Sequence, residues 1–111
     1  MATISFEQFE AVDIRLGTII AAEPFPKARK PAYKLTIDLG ELGIKRSSAQ
    51  VTDLYDQQSL IGKRVICVAN LEPRNIAGFM SEVLVTGFYN SDNHIVLATA
   101  EQNAANGARL C

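Results

Sequence analysis

Residues 12–20 read Val-Asp-Ile-Arg-Leu-Gly-Thr-Ile-Ile. Val12, Ile14 and Leu16 alternate with Asp13, Arg15 and Gly17, the period of two expected of a half-buried strand, and the apolar character continues through Ile20. Immediately upstream the chain follows a different rule. Ser5 stands three residues before Gln8, a capping-box spacing in which the hydroxyl accepts from one free amide and the Gln side chain accepts from another. Ile4 and Phe9 fit a hydrophobic staple across that cap. A short helix is therefore predicted over residues 6–11, with Phe6 and Phe9 on one face. Two turns are marginal in isolation, so these rings must pack on the body of the protein or on a second copy of it.

Downstream of residue 20, Pro24, Pro26 and Pro31 break regular pairing and mark a loop that carries Lys27, Arg29 and Lys30. Leu35, Ile37 and Leu39 alternate with Lys34, Thr36 and Asp38, which predicts a second strand over residues 33–39. Gly40 and Gly43 bracket a tight turn. A third strand follows over residues 44–51, with Ser47, Ser48 and Gln50 in it. Residues 52–61 read as a short helix or turns closed by Gly62. A fourth strand, 64–71, is apolar on both faces, which suggests a central position, and Pro73 ends it. A fifth covers 81–87. Asn90 to Asn93 form a polar turn, residues 95–99 pair beyond it, and Asn106-Gly107 is another turn signal. Five core strands, a small helix between the third and fourth, and no βαβ spacing predict an all-β fold. A closed or nearly closed five-stranded antiparallel barrel fits, and the OB-fold is the best-known barrel with a helical connection at that point.

The chain has 111 residues, which predicts one domain over 1–111. Its 48% apolar and 21% charged residues are a globular composition. The longest apolar run, Val65 to Ala69, is five residues, against the roughly 20 a membrane span needs, so no membrane insertion is expected. The N-terminus has no basic start followed by an apolar stretch, which points to the cytoplasm. Cys67 lies inside the apolar run and reads as a small core hydrophobe; Cys111 is the last residue. With no C-x-x-C and one histidine, a zinc site lacks ligands, and no metal or cofactor is expected. His94 sits beside a turn, no nucleophile or phosphate-loop motif is present, and the carboxylates are scattered. A catalytic reading has nothing to stand on, so the chain is not expected to be an enzyme.

Charge is distributed unevenly. Residues 27–74 hold nine basic side chains against five acidic ones, a net +4, while the whole chain is −1. The middle of the chain either presents a basic face to an anionic partner or is a solvated surface of mixed charge. Arg46-Ser-Ser-Ala-Gln50 concentrates a guanidinium, two hydroxyls and an amide, and strand alternation places Arg46, Ser48 and Gln50 together. In an OB-fold barrel the binding face covers strands two and three. It would gather Lys34, Thr36, Arg46, Ser48 and Gln50, with Asn70, Arg74 and Ser81 across the groove. The bland alternatives are a solvent-facing edge strand and loop capping. Aromatic interleaving, which single-stranded nucleic acid would use, is thin: Phe25, Tyr33, Tyr55 and Phe79 are the candidates.

Several segments together resemble the tRNA-binding domain, an OB-fold module found alone and appended to methionyl- and phenylalanyl-tRNA synthetases. They are Val12-Asp-Ile-Arg-Leu-Gly-Thr-Ile19, Pro26-Lys-Ala-Arg29, Tyr33-Lys-Leu, Gly62-Lys-Arg-Val65, Ala69-Asn-Leu-Glu-Pro-Arg74 and Ala77-Gly-Phe-Met-Ser-Glu82. The resemblance spans about residues 11–87. Ser47-Ser-Ala-Gln50 and Gly78-Phe-Met-Ser-Glu-Val-Leu-Val85, with the free-standing length, resemble its CsaA export-related chaperone branch. Typical tRNA-binding members have Ser-Gly where this chain has Ser48-Ala49, and Ser-Glu-Gly-Met where it has Ser81-Glu82-Val83-Leu84. Those departures weaken a carried-over tRNA role. The resemblance implies a homodimer that binds unfolded or pre-secretory polypeptides, linked to the Sec export machinery, with tRNA or structured RNA as the alternative ligand. It also implies a dimer built from segments outside the barrel, here Phe6, Phe9 and the tail after Asn90.

Overall fold

Strand β1 (Ile14–Pro24) organises the molecule, and a bulge between Ile19 and Ala21 bends it. Before the bend it pairs antiparallel with β4 (Arg64–Val68), and its later part pairs with β2 (Tyr33–Asp38). In this computed structural model, which describes residues 1–111, β2 continues to β3 (Ile44–Ala49), and β4 to β7 (Leu84–Val85). The sheet order is β3-β2-β1-β4-β7. A bulged strand serving two neighbours is how one sheet curls toward a barrel. Here the gap between its edges is spanned by the Glu82 amide, which donates to the Arg46 carbonyl at 2.8 Å. The result is the nearly closed, five-stranded OB-fold-like barrel that the spacing predicts.

The core follows from alternation. Ile19, Leu35, Ile37, Leu39, Leu60, Val65 and Cys67 are fully buried and pack as one cluster. Cys67 is thus a core residue, and burial pushes its thiol up to about 12. Gly17 is required by close approach: a Cβ there would lie 2.6 Å from Leu39 Cδ2 and 2.9 Å from the Asp38 carbonyl oxygen.

Local signals are realised at both helices. In α1 (Phe6–Glu10) Gln8 N donates to Ser5 Oγ and Ser5 N to Gln8 Oε1. In α2 (Gln57–Leu60), between β3 and β4, Asp56 and Ser59 form the same reciprocal cap and Leu60 enters the core. A one-turn 3-10 helix occupies Gly40–Leu42. No helix is long and apolar enough to cross a membrane.

Several expectations change. The third strand stops at Ala49 rather than Val51, which leaves Gln50 just beyond it, and β1 keeps pairing through Pro24, opposite Tyr33. The fourth strand stops at Val68 rather than Leu71, because the Asp13 amide, which would complete the next pair with Ala69, donates to Asn70 Oδ1 instead. The span 81–87 is not one strand. It is divided among the end of β6 (Phe79–Ser81), β7 and the start of β8 (Gly87–Tyr89), because the Glu82 and Val83 amides go to the Arg46 carbonyl and the Ile66 amide, which would complete the pair with Thr86, donates to the Ala98 carbonyl instead. Between β4 and β7 the chain makes an unexpected hairpin of β5 (Arg74–Ile76) with β6, turned by Ala77 and Gly78 at φ 47° and 86°, the positive-φ pair that two-residue hairpins favour. A second hairpin pairs β8 with β9 (Ile95–Leu97).

The last residues are woven into the barrel. Leu16 N donates to the Ala108 carbonyl, Gly107 N to Leu16 and Leu110 N to Ile14, so residues 107–110 run along the first half of β1. Arg64 clamps this tail through Asn103, the Ala104 carbonyl and Asn106, and Arg15 donates to the Gly107 carbonyl.

Candidate ligand-binding face

The β2–β3 register pairs Lys34 with Ser48 and Thr36 with Arg46. Directly opposed residues share a sheet face, so these four point outward together while Leu35, Ile37, Ser47 and Ala49 point into the core. The β5–β6 hairpin lies across this face: Ser48 N donates to Ser81 Oγ at 3.0 Å. It divides the surface into two clefts.

The larger hollow, about 480 Å³, lies between the β1–β2 loop, the end of β3, β5 and the β8–β9 hairpin. Its walls are mostly apolar, from Ala32, Val51, Ile76, Leu84, Phe88 and Ile95, with Ser48 and Gln50 at one side. Arg29, Lys30 and Arg74 complete its lining, and none has a carboxylate within 4.0 Å. Phe88 and Tyr89, 69% and 74% exposed, form an aromatic rim to this hollow. The arrangement suits an extended apolar segment carrying polar or acidic groups at its margins.

The smaller cleft, about 470 Å³, has Lys27, Lys34 and Arg46 around the Phe25–Phe79 pair. These rings meet edge-on at 5.4 Å and are buried. Lys34 Nζ stands 4.9 Å from the Phe25 centroid and Arg46 Cζ 4.7 Å from that of Phe79, so both cations lie against aromatic faces. Arg46 also pairs with Glu23, Nη2 to Oε1 at 2.9 Å.

The predicted face therefore divides. Lys34 and Arg46 line the smaller cleft, and Ser48, Gln50 and Arg74 the larger one. Thr36 lies between Ala21 and Arg46 in the sheet and lines neither. Asn70 is occupied elsewhere: its Oδ1 accepts from Asp13 N and its Nδ2 donates to the Ala11 carbonyl, tying α1 to the barrel. The Ser81 hydroxyl takes the Ser48 amide and so secures the hairpin. Of the candidate stacking rings, Tyr33 donates its hydroxyl to the Tyr55 carbonyl and Tyr55's hydroxyl accepts from Leu97 N, while Phe25 and Phe79 are floor. Sequence reasoning passed over Glu23, Phe88 and Tyr89. Two adjacent aromatic residues, Phe88-Tyr89, directly ahead of the polar 90–93 turn are the available signal for the last two.

At the opposite margin Phe6 and Phe9 lie 6.0 Å apart, with Phe6 71% exposed. Together with Val12, Arg109, Leu110 and Cys111 they border a small hollow. The body of the protein leaves this face uncovered.

A small, nearly closed five-stranded barrel with an apolar groove and basic flanks defines an OB-fold-like module. Residues 14–109 match the family model described as "Putative tRNA binding domain", and the chain belongs to that family. Within it the chain matches the CsaA branch. It superposes on the chaperone CsaA of Bacillus anthracis with a TM-score of 0.93 at 44% identity, covering 99% of this chain and 100% of that one. The CsaA chaperone protein of Picrophilus torridus gives 0.92 at 41% identity, with 98% and 100% covered. The chain is also 36% identical over 104 residues to the methionine–tRNA ligase of Chlorobium chlorochromatii, covering 94% of this chain and 14% of that enzyme. It thus spans about one-seventh of the length of such ligases.

Proposed function

We propose that this protein is a cytoplasmic protein-export chaperone that binds unfolded or pre-secretory polypeptides as a homodimer and hands them toward the Sec machinery. The apolar groove carries this reading: about 480 Å³ of mostly apolar lining with unpaired Arg29, Lys30 and Arg74. Such a surface takes up apolar side chains from an unfolded chain, and Ser48 and Gln50 supply hydrogen bonds for its backbone. Likeness over nearly the whole chain to two CsaA chaperones supports it. Phe6, Phe9 and Leu110 serve the dimer contact. Polypeptide capture needs shape and polarity rather than grouped catalytic side chains, so this is a binding function.

A second reading, binding of tRNA or structured RNA, is favoured by the family match and by the three cations of the smaller cleft. It lacks exposed rings beside them, since Phe25 and Phe79 are only 5% and 7% exposed, and stacking is a main source of affinity for unpaired bases. A competition separates the two. Labelled unfolded polypeptide bound to the protein is challenged with tRNA at about 0.15 M salt, where exposed charges are screened beyond roughly 8 Å. Retention of the polypeptide is expected. Tight, structure-selective tRNA binding at that salt with loss of the polypeptide would reverse the order.

A further inference from the structure

The geometry points to Glu23 as the residue that sets ligand selectivity at the smaller cleft: its carboxylate occupies Arg46 and turns this face away from phosphate-bearing chains such as RNA. Glu23 sits directly opposite Lys34 across β1 and β2, and reaches Arg46 on β3 at 2.9 Å. The guanidinium lies against the Phe79 ring, and Lys34 Nζ is 5.4 Å from the same ring. One carboxylate thus holds Arg46 and stands on the strand position opposite Lys34, at the place where a polyanion would engage these cations. Arginine is the side chain best shaped to grip a phosphate with two parallel hydrogen bonds, and here one of its nitrogens is already taken.

A phosphodiester that reaches Lys34 or Arg46 brings a full negative charge toward Glu23. A peptide carbonyl brings only a dipole, so the carboxylate repels it far less. The pair is an unpromising stabilising device, because its side chains are 39% and 56% exposed, and exposed ion pairs contribute little to folding. Its effect falls on whatever binds beside it. This inference rests on the client-polypeptide reading only for the purpose the selectivity serves; the discrimination itself is a property of the cleft.

The test uses the full-length protein, a labelled tRNA and a labelled unfolded polypeptide, titrated between 50 and 200 mM KCl. Glu23→Gln should strengthen tRNA binding about fivefold at the lowest salt, the effect of one unit charge near contact in water. It should also steepen the log–log salt dependence by about 0.7–0.9 for one added phosphate contact, and leave polypeptide affinity within about twofold. In an Arg46→Gln background the same substitution should give a clearly smaller gain, because only the repulsion felt at Lys34 is then relieved. Unchanged tRNA affinity and slope in Glu23→Gln overturns the inference, and so does an equal gain in the Arg46→Gln background, which would reveal a mere change in net charge. Failure of the wild-type protein to bind polypeptide would instead sink the chaperone reading, with the tRNA titrations still deciding the role of Glu23.

Discussion

Phe6→Ala tests the proposed dimer with little risk to the fold. Phe6 is 71% exposed in the single chain, and no residue of α1 is buried. Its removal therefore opens no cavity. A Phe side chain presents about 200 Å², so about 140 Å² of Phe6 lies open; alanine keeps part of this, leaving roughly 100 Å² to be lost from a covered interface. At about 25 cal/mol per Å² that is ~2.5 kcal/mol per ring. A two-fold interface uses each ring once per protomer, which makes ~5 kcal/mol for the pair of sites and weakens dimerisation by between about 10³ and 10⁴. Sedimentation velocity over a micromolar dilution series reads this as a shift from dimer to monomer, and a thermal melt of the same samples reports whether the monomer remains folded. A variant that sediments as dimer at the same concentrations as wild type would refute the assignment of this face. A wild-type protein that is monomeric throughout would refute the dimer itself.

Arg74→Ala alters an exposed side chain of β5 that lines the groove; polypeptide binding should fall several-fold in a titration while the melting temperature stays nearly unchanged. Gly17→Ala should destabilise the barrel by about 1–3 kcal/mol in a denaturant titration, because the added methyl meets Leu39 and the Asp38 backbone. Cys67 should resist a thiol reagent in the native protein at pH 8, being buried with its thiol pushed up to about 12; one thiol, Cys111, should react, and both after denaturation. Asp13 is held below the usual carboxylate value of 3.8 by its hydrogen bond to Arg15, with the charges of Arg15 and Arg109 adding to this. The charged form is the stabilised one, so its contribution is complete above the unfolded value and is lost as pH falls through the lower folded one. Asp13→Asn should therefore lower the melting temperature at pH 6, and the difference from wild type should shrink as the pH falls below the usual carboxylate value of 3.8.

The amino-acid sequence alone determined whatever depends on neighbours a few residues away. The Ser5–Gln8 cap is a contact across three residues, and it forms as read. Strand alternation is equally local, so Lys34 shares a face with Thr36 and Arg46 shares one with Ser48, whereas the β2–β3 register is what brings the two pairs onto the same face. Tertiary structure decided how those residues are used. Asn70 and Asp13 are 57 residues apart, and only the packing of α1's exit against the end of β4 turns a candidate ligand-binding amide into a structural tie. The β5–β6 hairpin depends on Ala77 adopting a positive φ, which alanine does not signal, and that hairpin divides one anticipated face into two clefts. The tail shows the same division. Its turn at Asn106-Gly107 was legible, but its place beside β1 is set by Arg15 and Arg64, whose charge could be read and whose distant partners could not. Side-chain direction along a strand is a property of the backbone repeat, whereas a hydrogen-bond partner across the barrel is a property of closure.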